Sequence, residues 1–183
     1  MKNITPYNFD RVFSDETIKI GVNYHGNNFI IGTDNELIKL KKICYDSNSF
    51  FLKHPHDISV NDIWSTLDTR KKSENSLFGL IHIVNCSFDD PKNFQFELYG
   101  MSSKIEWNRD FAKERIGSSN LRALIDFGAV EYDRVKKIKK PDLTEVKYEI
   151  SERTTSYRKL MVPLSTTGCE VTHLLVGMTM QEV

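Results

Sequence analysis

The sequence predicts an α+β fold: a five-stranded antiparallel sheet with helices on one face, preceded by an N-terminal helical extension. Three observations predict it. Two strand-like runs, residues 77–84 and 94–98, flank the turn cluster "SFDDPKN". A stretch of helical spacing follows over residues 102–141. Three alternating stretches then end the sequence, at 146–150, 160–164 and 174–180. Early and late strands of this kind join one sheet, and the helices between them must cover a face of it.

The elements follow in order. Residues 1–35 are polar and mixed, and only the alternation of Ile18, Ile20 and Val22 hints at strand, so they are taken as an extension of unclear structure. Residues 36–183 are taken as one domain. Leu37, Leu40, Ile43 and Cys44 recur at helical spacing behind a capping Asp34 or Asn35. Ile63, Trp64 and Leu67 make a second, shorter apolar stripe. The run 77–84 is rich in branched apolar residues and too short for a helix. Phe94, Phe96 and Leu98 alternate with Gln95, Glu97 and Tyr99, which makes the pair antiparallel. Between 102 and 141, Gly117 with Ser118 and Ser119 divides a first helix from a second. Gly128 divides the second from a third, and Pro141 ends the run. Val146, Tyr148 and Ile150 open the closing strands. The last two read as apolar runs around the polar turn "STTG".

Composition narrows the function. The chain has 183 residues, 39% hydrophobic and 27% charged, as in an ordinary soluble protein. Its 25 basic and 25 acidic residues cancel, which argues against a dedicated nucleic-acid binder. Cys44, Cys86 and Cys169 are odd in number, widely spaced and without a CxxC pattern. That predicts neither a disulfide framework nor a zinc site, and fits a reducing cytoplasm. "MKNITPYNFDRVF" lacks a signal-peptide core, and no run approaches the roughly 20 apolar residues that span a bilayer.

The order strand–strand–helices–strand–strand–strand resembles the PAS sensor superfamily, and within it a group of single-domain alphaproteobacterial PAS proteins. The matching stretches are "GLIHIVNC", "FQFELYG", "RIGSSNL" and "YRKLMVPLSTTGCEVTHLLVGM". Pro163, Leu164, Ser165 and Gly168, followed by an apolar strand, form the most specific motif. The resemblance covers residues 36–180. It implies a bacterial sensory or regulatory module in signal transduction, with a small molecule between the sheet and its helices. It also implies a partner protein to receive the signal, since no output domain fits within 183 residues, and a homodimer formed through an N-terminal helix. Haem in this superfamily takes a His on the helix before the third strand, and residues 129–140 contain none. Asn85, Cys86, Ser87 and Phe88 superficially match a flavin motif but fall at a turn between strands. Neither haem nor flavin is therefore expected, and the ligand is unspecified.

Any pocket must be lined by the inner sheet face and the helix stripe. The candidates are Tyr99, Leu121, Tyr132, Val135, Leu160, Val162, Leu174 and Val176, with His82 as a polar contact. Leu37, Leu40, Ile43 and Cys44 form the candidate dimer surface; packing on their own sheet is the alternative. "HPHD" at His54–Asp57 offers two imidazoles and a carboxylate, but neighbours two apart in a turn rarely converge on a metal, and no metal site is expected. "RVKKIKKP" at Arg134–Pro141 reads as a solvated helix face rather than a phosphate contact. There is no Gly-x-Ser-x-Gly and no phosphate-cradling loop. Ser165, His173 and Asp142 can be drawn as a triad, but no motif supports it, and no catalytic residue is expected. Two rival readings stay open. One is a ligand-free interaction module of the same fold. The other is a small enzyme on a cone-shaped α+β fold, for which His82 near Asp126 would be the place to look.

Overall fold

The computed structural model describes residues 8–26, 37–38, 81–99, 113–151, 153–165 and 169–181. Seven strands form one antiparallel sheet. They are β1 (Arg11–Ser14), β2 (Ile18–Gly26), β3 (Ile81–Asn85), β4 (Gln95–Tyr99), β5 (Asp142–Ile150), β6 (Arg153–Leu164) and β7 (His173–Gln181). One long helix, α1 (Arg122–Ile138), connects β4 to β5. The spatial order is β1-β2-β5-β6-β7-β3-β4. Pairing of β3 with β7 ties the middle of the chain to its end, with His82 opposite Val176 and Val84 opposite Leu174.

This corrects the expected five-stranded sheet with several helices on one face. The sheet is larger because residues 8–26 belong to it. Phe13, Ile18, Ile20 and Val22 all point to one face and pack on Ala123, Phe127, Val146 and Tyr148. Asp15 makes the hairpin turn, its carboxylate accepting from the N–H groups of Thr17 at 2.8 Å and Ile18 at 2.9 Å. β2 then pairs with β5 from Ile18↔Ile150 to Gly26↔Leu143, with a bulge between Tyr24 and Gly26. The candidate helices at 36–45 and 59–72, with "HPHD", Trp64 and Trp107, lie outside the described residues, except that Leu37 and Ile38 are helical.

Among the described residues, the helical part also differs from what Gly128 implied. Gly128 does not divide α1. It sits mid-helix, where a Cβ would come within 3.1 Å of Ile116 Cγ2. The residue is a close-approach point between α1 and the 3₁₀ turn Ile116–Ser118. The helix ends at Lys139, in the left-handed conformation with φ of 54°, whose N–H bonds back to Val135 O at 3.1 Å. Its start lacks a cap from Leu121, and Asp15 Oδ2 supplies one, accepting the Ala123 N–H at 2.8 Å. The β1–β2 turn therefore caps a helix more than a hundred residues away.

Strand alternation assigns the faces. Tyr157, Lys159 and Met161 of β6 face α1, as do Asp142, Thr144, Val146 and Tyr148 of β5, and Leu174 and Val176 of β7. The other face of the central strands is buried as well. Ile83, Leu143, Leu160, Val162 and Leu175 are at most 1% exposed. Burial on both sides explains why "KLMVPL" reads as a nearly unbroken apolar run.

Candidate functional site

A layer of buried charge lies between α1 and the sheet, and it is the feature that an ordinary apolar core would lack. Glu131 is the centre of its ordered half. The glutamate is fully buried on the sheet-facing stripe of α1 with Phe127, Tyr132 and Val135. Its Oε1 accepts the Tyr24 hydroxyl from β2 at 2.6 Å. Its Oε2 lies 3.4 Å from Arg134 Nη2. Arg134 also pairs with buried Asp142, at the first position of β5. The guanidinium then stacks over the Tyr24 ring, 4.2 Å from its centroid.

These contacts set the proton affinities. Burial, and then Glu131 as hydrogen-bond partner and negative charge, push the Tyr24 phenol up to about 12. Burial pulls Arg134 down, but its bond and charge pairing with Asp142 and the charge of Glu131 more than offset this and raise it. The group is a closed set in which each carboxylate oxygen just described meets a donor. Such a set is a latch between the helix and the sheet edge that carries the N-terminal hairpin.

Lys159 makes the other half. It faces α1 from β6, opposite Thr144 on β5 and Met178 on β7. The residue is 1% exposed. Its Nζ lies 4.3 Å from the Phe127 ring centroid and 5.4 Å from that of Tyr132. Among the described residues it has no hydrogen-bond acceptor. Burial lowers its pKa to about 8, against the attraction of Glu131. A chain of rings then runs from Lys159 toward β3. Tyr132 meets Phe96 edge-on at 6.3 Å, and Phe96 meets His82 edge-on at 6.3 Å. His82 is 3% exposed, and burial together with the charge of Lys159 holds its pKa down at about 3.

No family model matches the chain, and no curated protein or solved structure matches it. The site must therefore be read from its own chemistry.

Of the residues singled out from sequence, Tyr132, Val135, Leu174, Val176 and His82 gather beneath α1. Leu160 and Val162 lie on the opposite face of β6. Leu121 precedes α1 and is half-buried. Tyr99 pairs with His82 in register, and its side chain lies outside what is described. Leu37 is fully buried within the chain; Leu40, Ile43 and Cys44 lie outside the described residues. The drawn triad does not assemble. Asp142 is held by Arg134, while His173 meets Thr172 at 2.9 Å and Glu97 at 3.3 Å. Asp126 pairs with Arg122 at 3.7 Å with its side chain 45% exposed, whereas His82 is buried. Cys86 is buried with its thiol pushed up to about 12, chiefly by burial, which suits packing rather than reactivity. The basic run divides: Arg134 turns inward, while Lys137, Lys139 and Lys140 face solvent.

Tyr24, Glu131, Arg134 and Lys159 were not singled out as site residues. Their only advance signal is weak: Glu131 and Arg134 stand three apart on a helix, a spacing at which side chains meet. Among the described residues no three His, Cys, Asp or Glu side chains converge as metal ligands, and no helix is long and apolar enough to cross a membrane.

Proposed function

We propose that the chain is a non-catalytic, PAS-type regulatory module of bacterial signal transduction. It holds a small molecule between α1 and the facing side of the sheet and passes that state to a partner protein. The observation that carries this reading is the buried charge between α1 and the sheet, above all the unpaired ammonium of Lys159. A charge of this kind costs several kcal/mol to bury and adds nothing to a purely structural core. The chain order of β3, β4, α1, β5, β6 and β7 supports it too, because it follows the order on which the resemblance rests. The site is cytoplasmic in this reading, and neither haem nor flavin is its ligand. A homodimer belongs to the same reading, although Leu37 of the candidate stripe is spent on packing within the chain.

One observation favours a second reading, a ligand-free interaction module. Val84, Phe94, Val135, Met161, Leu174 and Val176 are all at 0% exposure, so the core near β3 and β7 is filled by side chains. Native mass spectrometry of protein purified from cells separates the two. A small-molecule adduct lost on denaturation is expected. A bare chain, with no thermal shift across a metabolite set, would leave the interaction module standing.

A further inference from the structure

Lys159 has three donor hydrogens, and the nearby carboxylates are committed elsewhere. Glu131 gives one oxygen to Tyr24 and the other to Arg134, and Asp142 is taken by Arg134. Among the described residues, what remains beside Nζ is the pair of rings Phe127 and Tyr132. A cation–π contact of this kind returns less than burial costs an ammonium. It also fills none of the three hydrogen bonds. The Lys159 backbone is fixed from both sides by β5 and β7, so the side chain is held where its head cannot reach water by a strand shift. Met178 and Phe96 are only half-buried and pack against the cluster.

We propose that Lys159 is the recognition point for a small molecule that presents an oxygen acceptor, carboxylate or carbonyl, on a flat apolar body. The acceptor oxygen takes a hydrogen bond from Nζ, and the flat body packs against Phe127 and Tyr132. A carboxylate would meet the charged lysine; a carbonyl would be served by either protonation state. This rests on the regulatory reading above and gives that site its ligand class.

The test uses benzoate, acetophenone and ethylbenzene as probes on the full chain, at millimolar concentration. The first two carry the two kinds of oxygen acceptor, and the third carries none. Benzoate or acetophenone should raise the melting temperature by roughly 3 °C or more at about ten times its Kd, while ethylbenzene should not. A response to benzoate alone assigns the carboxylate, and to acetophenone alone the carbonyl. Lys159→Met should fold, melt no lower than the unliganded wild type, and lose the response at least tenfold in Kd. Lys159→Gln, one atom shorter and keeping a neutral donor, serves if the methionine variant does not fold. Equal responses to all three probes, a response to any probe that survives in Lys159→Met, or a benzoate response that survives in Lys159→Gln, would overturn the assignment of Lys159. A native adduct retained by Lys159→Met would also sink it while leaving the regulatory reading intact. No adduct and no response to any probe would remove both.

Discussion

The two ends of the buried layer beneath α1 contain similar charges and treat them differently. Near β2, Tyr24, Glu131, Arg134 and Asp142 pair with one another through the Tyr24 hydroxyl and Arg134 Nη2, and Arg134 Nε is the one buried donor of the group without a partner among the described residues. Toward β7, Lys159 presents its donors to two rings and, among the described residues, to no acceptor. Both ends cost desolvation. Only the first recovers it, through charge-assisted hydrogen bonds of the stronger sort. The closed end therefore behaves as structure, joining α1 to the N-terminal hairpin. The open end leaves the desolvation of its ammonium without a hydrogen-bonded return among the described residues.

Breaking the closed end should have the largest effect. Glu131→Ala strands the Tyr24 hydroxyl and removes a counter-charge from both Arg134 and Lys159. The expected loss is about 3–5 kcal/mol, the usual range for breaking a buried pair from one side. In a chain of this length that is a fall of roughly 10 °C in Tm by circular dichroism. A loss under about 1 kcal/mol would mean that water reaches the layer and that the two ends are alike.

The acid limb of stability examines the open end. His82 titrates at 6.5 in an unfolded chain and is held at about 3 in the fold, first by burial and then by Lys159. Its neutral form therefore contributes stability that is whole above 6.5 and is lost as pH falls from there toward 3. His82→Leu should flatten that limb relative to wild type in urea titrations run across the range. Parallel limbs would show that His82 charges freely in the folded state, which a dry layer does not allow.

A milder cut at the closed end is Tyr24→Phe. The ring stays, with its stacking on Arg134, and only the hydroxyl is lost. Leaving Glu131 Oε1 without its donor should cost about 1–3 kcal/mol, less than Glu131→Ala. Equal losses in the two variants would place the whole value of the latch in this one bond.

Sequence made parts of this legible and hid others for physical reasons. The β3–β4 and β6–β7 segments were readable because branched apolar residues and alternation are local signals. Phe13 and the Ile18, Ile20, Val22 alternation carried the same signal more faintly, and a four-residue β1 was too short to weigh. Gly128 misled because glycine usually loosens a helix, whereas here it admits Ile116. Leu160 and Val162 were assigned to the inner face because a strand buried on both sides loses the alternation that tells its faces apart. Lys159 and Glu131 carry no local sign of burial within "YRKLM" and "VEYDR". Their inward turn depends on register between strands and on a partner such as Tyr24, 107 residues from Glu131. No local pattern records a contact of that separation.

The smallest predicted effect concerns how the two ends communicate with the hairpin. The Asp15 carboxylate accepts from the N–H groups of Ala123, Thr17 and Ile18, and those bonds, that of Ala123 foremost, hold its pKa below 3.8. A depressed carboxyl stabilises the fold above its unfolded value and stops doing so as pH falls through its folded one. Asp15→Asn keeps the shape and removes the charge, so it should lower Tm slightly near neutral pH and not at all once the wild-type carboxyl is protonated. Because Asp15 is only half-buried, the loss should fall below that of Tyr24→Phe. Amide exchange at Ala123 should quicken in the variant, since this donor has no carbonyl to return to within the helix. A Tm difference that persists unchanged into acid would show that the turn geometry, rather than the charge, caps α1. The hairpin would then be tied to the charged layer through Tyr24 alone.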